Sequence, residues 1–362
     1  MRTVRAQRVV VTAVDTVEVQ EVDLLAPGPN EVLLQAECSL ISAGTELATI
    51  RGQTAFGPDG TGRPRSLGYS FVGVVREVGP GTAAWQVGQR VVGHAPHASW
   101  AVAAADRALL PVPEDLPPEH AAFASLMAIA LNGVRLAHLQ IGEPVAVLGQ
   151  GLVGQLAAQF ARINGARPVV VLDALDSRLE IARAAGATHA INVRAVGDSL
   201  DRLGAGASAG SPPASSGQAG QALPAAVRQA TGGDGPRVVI EATGLPQPVV
   251  TALKIAGHGA RVVLLGSTRG LVEHWDPYSD VHRKALTIIG AHSPSSHPPV
   301  ATFWNPFTTS ANMRIALDLV RDGSLRLDRL ISDRVPGRDA PQAYARLASA
   351  PAEHLGVLLD WR

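Results

Sequence analysis

From residue 31 onward the apolar positions first come in short runs broken by glycine and proline. "EVLLQAECSL", "SFVGVVREVG", "QRVVGHAP" and "SWAVAAADRALLPVP" read as strands, and "APGPNE", "VGPGTAAWQVG" and "PEDLPPEH" as the turns around them. Short strands at this spacing predict a small antiparallel barrel or sandwich. The rhythm changes after about residue 125. "PVAVLGQG", "RPVVVLDA", "HAINV", "PRVVIEATG", "ARVVLLGS" and "ALTIIGAHS" are six continuous apolar, β-branched runs, several of them separated by helix-like segments. Such runs predict an α/β domain whose parallel sheet is covered on both faces. Six strands make a full doubly wound, Rossmann-type dinucleotide-binding sheet. After about residue 291 two helical patterns, "SANMRIALDLVRDGSL" and "APQAYARLASA", precede a final strand, "LGVLLDW". The expected division is therefore 1–125, 126–290 and 291–362. Within the second part, residues 204–224, "GAGASAGSPPASSGQAGQALP", carry no charge and are rich in Gly, Ala, Ser and Pro, which predicts a flexible surface insertion.

The strongest chemical signal lies in "VAVLGQGLVGQLAAQFARI". Gly149, Gly151 and Gly154 have G-x-G-x-x-G spacing after a buried strand, and Leu152 and Val153 open a helix in which Val153, Leu156, Phe160 and Ile163 recur at helical spacing. Gly149 permits a tight turn, Gly151 lets the backbone approach a pyrophosphate, and Gly154 lets helix and strand pack closely. The helix N-terminus presents unpaired N–H groups to phosphate. About 20 residues further on, Asp173 ends the next strand, where a carboxylate accepts both ribose hydroxyls of NAD and repels the 2′-phosphate of NADP. Capping of the following helix, by Asp173 or Asp176, is the plainer role. Arg178 stands near enough to serve NADP instead, or to lie along the adenine. "EATG", with Ala242, Thr243 and Gly244, "LLGST", with Gly266 and Ser267, and "GAHS", with Ala291 and His292, close later strands on the same edge of the sheet. They suit a nicotinamide or ordinary turns.

Composition narrows the rest. Lysine plus arginine and aspartate plus glutamate number 31 each, so no basic excess points to nucleic acid or an anionic membrane. The single cysteine, Cys38, excludes an internal disulfide and a four-cysteine zinc site and reads as core. The N-terminal apolar stretch is too short for a signal peptide and no run reaches a membrane span, so a cytoplasmic protein with no membrane partner is expected.

The order of parts, with "GTEL", "LGYSFVGVVREVG", "VGQRVVG", "PEHAAFASLMAIALNGVRLAHLQIGEPVAVLGQGLVGQ" and "RLEIARAAGA", resembles the medium-chain dehydrogenase/reductase superfamily over nearly the whole chain. The polyol and threonine dehydrogenase-like branch is the most similar, and "GTE" and "GY" are shared with a zinc-less side group that includes bacteriochlorophyllide dehydrogenase-like proteins. The resemblance implies a GroES-like β-barrel catalytic domain beside the Rossmann domain, NAD(H) in preference to NADP(H), a small-molecule substrate, and a homodimer or homotetramer. It identifies "ARVVLLGS" and "ALTIIGAHS" as the edge that joins copies. It also locates the positions of the catalytic zinc. Ala43 stands at the first, Tyr69 and Ser70 at the second pair, and Ala124 or Ser125 at the third. None is a thiolate, imidazole or carboxylate, so no zinc is expected. Thr45 stands where the family passes a proton, Glu46 where an acid orients a ligand histidine, and Tyr69 in place of that histidine. The catalytic set expected is Thr45, Tyr69 as an oxyanion donor, and Glu46 positioning Tyr69 or supplying the proton itself. The plainer alternative has Tyr69 filling volume and Glu46 paired with an arginine.

His94 and His97, on a loop at the end of the barrel, are expected within reach of a substrate, or else structural. Arg283 and Lys284 are expected on the surface before the sixth run, with substrate phosphate binding the lesser alternative. The function implied is zinc-independent hydride transfer between NAD(H) and a secondary alcohol or ketone, such as a sugar, a cyclitol or a biosynthetic intermediate. An enoyl or quinone reductase and a catalytically inactive cofactor-binding protein are the alternatives.

Overall fold

The computed structural model describes residues 3–55, 57–58, 63–82, 84–105, 109–196, 219–272, 275–298 and 300–362. They fall into two compact units, Met1–Ala128 with Pro298–Arg362, and Ile129–His297.

The first unit is built on the strand Glu31–Leu40. It pairs antiparallel with Phe71–Val78, with Trp100–Ala104 and with the C-terminal strand Gly356–Asp360. The last pairing explains why the chain returns to this unit after the second one. Val32, Leu34, Ala36, Phe71, Val75, Val91 and Ala101 form the core of this sheet. A hairpin of Thr3–Ala13 and Thr16–Leu25 precedes it. The apolar pattern of the sequence does not announce this hairpin, because Val9, Val10 and Val11 are buried while its second strand is half-buried or exposed along its whole length. A second element without an obvious sequence signal is the helix Ala43–Ile50, which holds Thr45 and Glu46 in its first turns. Gly44 and the β-branched Thr45 and Thr49 are poor helix formers. Packing supplies what propensity does not, since Ile41 and Ile50 are buried with Val9, Val11, Leu67, Tyr344, Leu347, Val357 and Leu359. This cluster brings the helix Ala340–Ser349 against the helix Ala43–Ile50, and so sets Tyr344 beside Glu46.

The second unit holds a six-stranded sheet whose strands all pair in parallel. Its order, numbering its strands by sequence, is 3-2-1-4-5-6. Each of the six runs named above forms one strand. Ala146, Leu148, Val170, Leu172, Val239 and Val262 are buried together with Leu223, Val227, Leu253 and Ile255 from the flanking helices. Three expectations are corrected here. The insertion expected at 204–224 gives way at residue 219 to the helix Ala219–Ala230. Leu223 and Val227, one turn apart, are both buried and tie this helix to the sheet in spite of Pro224. The remainder of that stretch, 204–218, lies outside the described residues. Of the two runs expected to join copies only Thr287–Gly290 is an edge strand, because Arg261–Leu264 is paired on both sides; the opposite edge of the sheet is His189–Asn192. Lys284 is not a free surface cation. Its half-buried Nζ donates to the carbonyls of Leu253, Lys254 and Ala256 at 2.7, 2.8 and 3.1 Å and so caps the helix Pro246–Ile255. Arg283 is exposed. Among the described residues no helix is long and apolar enough to cross a membrane.

Candidate functional site

In the second unit the glycine turn follows the strand Val145–Leu148 and opens the helix Leu152–Ile163. Gly149 has φ +84°, the left-handed region that favours glycine. A Cβ there would meet Thr243 Cγ2 at 2.7 Å. A Cβ on Gly154 would collide with the carbonyl oxygen of Gly149. Gly151 is different, since among the described residues, its own neighbours and helix backbone apart, nothing lies within 4 Å of the position its Cβ would take. Two of the glycines are thus required by protein contacts, and the third leaves open space at a helix N-terminus, which is where a pyrophosphate binds in this architecture.

Asp173 ends the next strand and is buried, but it does not cap the following helix, whose N-cap is Leu175 with no side-chain cap. Its Oδ2 accepts from the N–H of Gln150, inside the glycine turn, at 2.6 Å, and its Oδ1 from the N–H of Leu175 at 2.9 Å. A carboxylate offers about four lone-pair directions, so two backbone bonds leave capacity for ribose hydroxyls. Asp176 is engaged by Asn192. Arg178 is half-buried in the first turns of the helix Asp176–Ala184, and its carbonyl accepts from Gln155.

The structure brings the other strand ends to the same turn. Gly149 abuts Thr243, and Gly266 lies against Ala242 and Gly244, whose backbone crowds the position its Cβ would take. Ala291 is buried and its N–H bonds Leu264, while Ser267 and His292 are exposed. Beneath Thr243 sits Glu241, to which the sequence reading gave no role. It is fully buried, its Oε1 accepts from the Thr243 N–H at 2.6 Å and from the Thr243 hydroxyl, and its Oε2 accepts from Thr268 at 3.3 Å. Burial pushes its carboxyl above the usual range, against the opposing pull of those donors. The geometry of the glycine turn, the open space at Gly151 and the carboxylate at the strand end fit a dinucleotide.

In the first unit the catalytic candidates are joined in a way the sequence does not suggest. The Tyr69 hydroxyl donates to Ser42 Oγ at 2.6 Å. Ser42 is the N-cap of the helix Ala43–Ile50, yet its side chain makes no capping bond. A serine in that position ordinarily caps its helix for about 1 kcal/mol. Here its hydroxyl is diverted to Tyr69, and its N–H donates to Glu46 Oε1 at 2.8 Å.

Among the described residues Glu46 is therefore neither hydrogen-bonded to Tyr69 nor paired with an arginine. Its Oε2 accepts from the Tyr344 hydroxyl and meets His97 Nε2 at 3.0 Å. His97 Nδ1 lies 2.8 Å from Ser39 Oγ, which also accepts from Trp361 Nε1 at 3.0 Å. Trp361 Nε1 can only donate, so Ser39 accepts from it, and against an ionised Glu46 it is His97 Nε2–H that donates. His97 is fully buried in the loop before Trp100–Ala104, which accords with the structural alternative for it. His94 is exposed, with its ring centroid 6.0 Å from that of Tyr69. Thr45 is half-exposed. Cys38 is buried core, as read, and burial pushes its thiol up. Ser39, Ser42, Tyr344 and Trp361 carry no sequence motif; their roles arise only from the fold.

Burial alone would push Glu46 up, but the charge and hydrogen bond of His97, with Tyr344 and the Ser42 N–H, hold it below the usual carboxylate range. Ionised, it can only accept, so it is not a proton source. The hydroxyl of Tyr344 is pushed well above its usual range by burial and by Glu46. With a native value below 4.5, Glu46 contributes stability that is present above that pH and lost as pH falls through the lowered value. Glu46→Gln is therefore expected to lose stability at neutral pH and to lose less than the parent on acidification. Urea midpoints taken above and below pH 4.5 check this. Equal acid losses in both proteins would place the effect elsewhere.

The residues at the zinc positions do not fit zinc. Ala43 has no donor atom, the Tyr69 hydroxyl is engaged with Ser42, and Ser125 reaches back to the Tyr69 carbonyl at 3.4 Å. Ser70 Oγ is buried and neutral, with no hydrogen-bond partner among the described residues. Nor do the described residues contain a group of three or more His, Cys, Asp or Glu able to hold a metal ion.

Comparison with known proteins adds the following. A family model for zinc-binding dehydrogenases matches residues 153–305, and one for the alcohol dehydrogenase GroES-like domain matches residues 28–108. The L-threonine 3-dehydrogenase of Xanthomonas campestris pv. campestris is 34% identical over 208 residues, which are 48% of this chain and 59% of that protein. The chain thus spans less than two thirds of that relative's length. The L-threonine 3-dehydrogenase of Stenotrophomonas maltophilia is 29% identical over 308 residues, 75% of this chain and 80% of that protein. Among solved structures, a protein of Sinorhizobium meliloti 1021 described as a zinc-binding dehydrogenase bound to NADP has a TM-score of 0.77 at 25% identity, with 99% of each chain covered.

Proposed function

We propose that this chain, which belongs to the medium-chain dehydrogenase/reductase superfamily, is an NAD(H)-dependent oxidoreductase that works without zinc on a secondary alcohol or its ketone. The observation that carries the reading is the bond from Tyr69 to Ser42, which supports a hydroxyl on the residue that the resemblance aligns with a zinc ligand. Bound NAD(H) would supply or accept the hydride. Gly149, Gly151 and Gly154 would seat its pyrophosphate and Asp173 its ribose, with Ala242, Thr243, Gly244, Gly266, Ser267, Ala291 and His292 along the nicotinamide end.

The remaining steps fall to the chain's own side chains. Reduction of a ketone places negative charge on its oxygen. A hydroxyl both donates and accepts, so when Tyr69 turns its proton toward that oxygen, Ser42 can donate back to Tyr69. Tyr69 then acts as the oxyanion donor and Ser42 supports it. Thr45, half-exposed, passes a proton from solvent to the product alkoxide. Glu46 stays ionised and holds the Ser42 N–H. Pairing of copies through the Thr287–Gly290 edge into a homodimer belongs to the same reading.

The test is an NADH oxidation screen of polyhydroxy ketones and cyclitol ketones beside enones and quinones. Turnover of ketones supports the reading. Turnover confined to enones or quinones replaces it with a double-bond or quinone reductase, and cofactor binding with no turnover replaces it with a binding protein.

Cofactor choice is tested through Asp173. The intact chain is expected to bind NADH more tightly than NADPH, because a buried carboxylate facing a phosphate is repulsive. Asp173→Ala should weaken NADH binding and narrow the preference. It also releases the N–H of Gln150, so part of the loss comes from a looser turn. Tighter binding of NADPH by the parent would hand the choice to Arg178.

A further inference from the structure

His97 is a buried ionisable side chain that the proposed reaction does not use, and two separate observations tie it to Tyr69. The first runs through side chains. His97 Nε2 holds Glu46 Oε2 at 3.0 Å, Glu46 Oε1 holds the Ser42 N–H at 2.8 Å, and Ser42 Oγ receives the Tyr69 hydroxyl at 2.6 Å. The second runs through the backbone. Gly68, the residue before Tyr69, has φ +93°, and a Cβ there would fall 2.5 Å from His97 Cγ and Cδ2. The N–H of His97 bonds the Leu67 carbonyl at 2.8 Å, and its own carbonyl accepts from the N–H of Val9 at 2.9 Å. The ring is therefore locked in place, pressing on the turn that carries Tyr69 while fixing the acceptor of its hydroxyl.

We infer that His97 is a positioning residue for Tyr69, acting through Glu46 and Ser42 at the hydroxyl and through Gly68 at the backbone. It touches no reacting atom. The inference rests on the reading of Tyr69 as the oxyanion donor for its link to catalysis, but not for its geometry. Ser39 and Trp361 on the far side of the ring, and Tyr344 on the far side of Glu46, complete the clamp. His97→Gln keeps an N–H that can reach Glu46, whereas His97→Leu keeps volume and loses both hydrogen bonds.

The chain contains three tyrosines, Tyr69, Tyr278 and Tyr344, so labelling tyrosine at Cζ gives one NMR signal for each. Tyr69→Phe assigns the first. Tyr278 is exposed and serves as an internal control for folding. In the full-length protein, His97→Leu is expected to move the Tyr69 signal, leave that of Tyr278 in place, and lower turnover with little change in the KM for NADH. His97→Gln should restore much of both. On turnover, His97→Leu should cost about 10-fold in the parent and less than about 2-fold in a Tyr69→Phe background, the non-additivity of residues acting as a unit. If His97→Leu does not fold, Tyr344→Phe, which removes one donor to Glu46 and keeps the ring, carries the same comparison. An unmoved Tyr69 signal in a folded variant, or equal costs in both backgrounds, overturns the inference. A Tyr69→Phe protein with undiminished turnover overturns the catalytic reading instead, while a shifted Tyr69 signal would still establish the clamp.

Discussion

Tyr69→Phe is expected to lower turnover by about 10²-fold, or about 2.7 kcal/mol of transition-state stabilisation, while NADH binding stays near that of the parent. Phe retains the ring, so the packing beside Ser42 persists and the hydroxyl alone is removed. The developing oxyanion then loses its donor, and Ser42 cannot substitute fully because its position is set to meet Tyr69 rather than the substrate. Thr45→Val keeps the branched shape of the side chain and should cost a similar factor, by removing the hydroxyl that passes the proton. Single-turnover rates of NADH oxidation by a ketone identified in the screen are the measurement, because they report chemistry rather than product release. Near-parent rates for both variants would move attention to His94, whose exposed ring is 6.0 Å from that of Tyr69.

Two glycines of the nucleotide turn are expected to respond to substitution in opposite ways. In Gly154→Ala the new Cβ meets the carbonyl oxygen of Gly149. Gly149 has little room to retreat, since its N–H bonds the Leu172 carbonyl at 2.8 Å and it already abuts Thr243. Overpacking of this kind costs about 1–3 kcal/mol, so the variant should unfold earlier and also bind NADH at least about 10-fold more weakly. In Gly151→Ala the new methyl enters open space and stability should stay close to that of the parent. NADH binding should nevertheless fall, because the methyl occupies the approach of the pyrophosphate. Thermal unfolding beside calorimetric titration with NADH separates the two. A Gly151→Ala protein that binds NADH as the parent does would remove the pyrophosphate from that turn.

What was legible in the sequence was local. The strand Glu31–Leu40 and the six runs of the parallel sheet could be read because each buries a continuous or alternating set of apolar residues that needs no partner to be seen. The glycine turn was equally plain, since its spacing and the strand and helix around it lie within a few residues of each other. The helix Ala43–Ile50 was not legible, because tertiary burial of Ile50 and Ala48 outweighs the poor propensity of its first turn. The same holds for residues 219–224, where the end of a stretch that reads as a surface insertion joins a helix once Leu223 finds the sheet.

The site failed to be legible for a different reason. The resemblance sets Glu46 beside Tyr69, because one stands at the place of an acid and the other at that of the histidine it orients. The actual partners of Glu46 are His97, 51 positions along the chain, and Tyr344, 298 positions along. Nothing in the local pattern of either partner marks it. Tyr344 reads as one apolar face of an amphipathic helix, and His97 as one of two loop histidines. The plainer alternative for Asp173, capping of the following helix, is not what the fold makes of it either, since Gln150 reaches it from another strand's loop and claims one carboxylate oxygen.

The central claim is that the Tyr69 hydroxyl, held by Ser42, rather than a metal, stabilises the oxygen of the substrate. The most direct measurement is elemental analysis of the purified protein together with ketone reduction by NADH before and after treatment with a strong chelator. The account predicts no stoichiometric zinc and turnover that survives chelation unchanged. About one zinc per chain, lost together with activity and restored with it on adding zinc back, would contradict it.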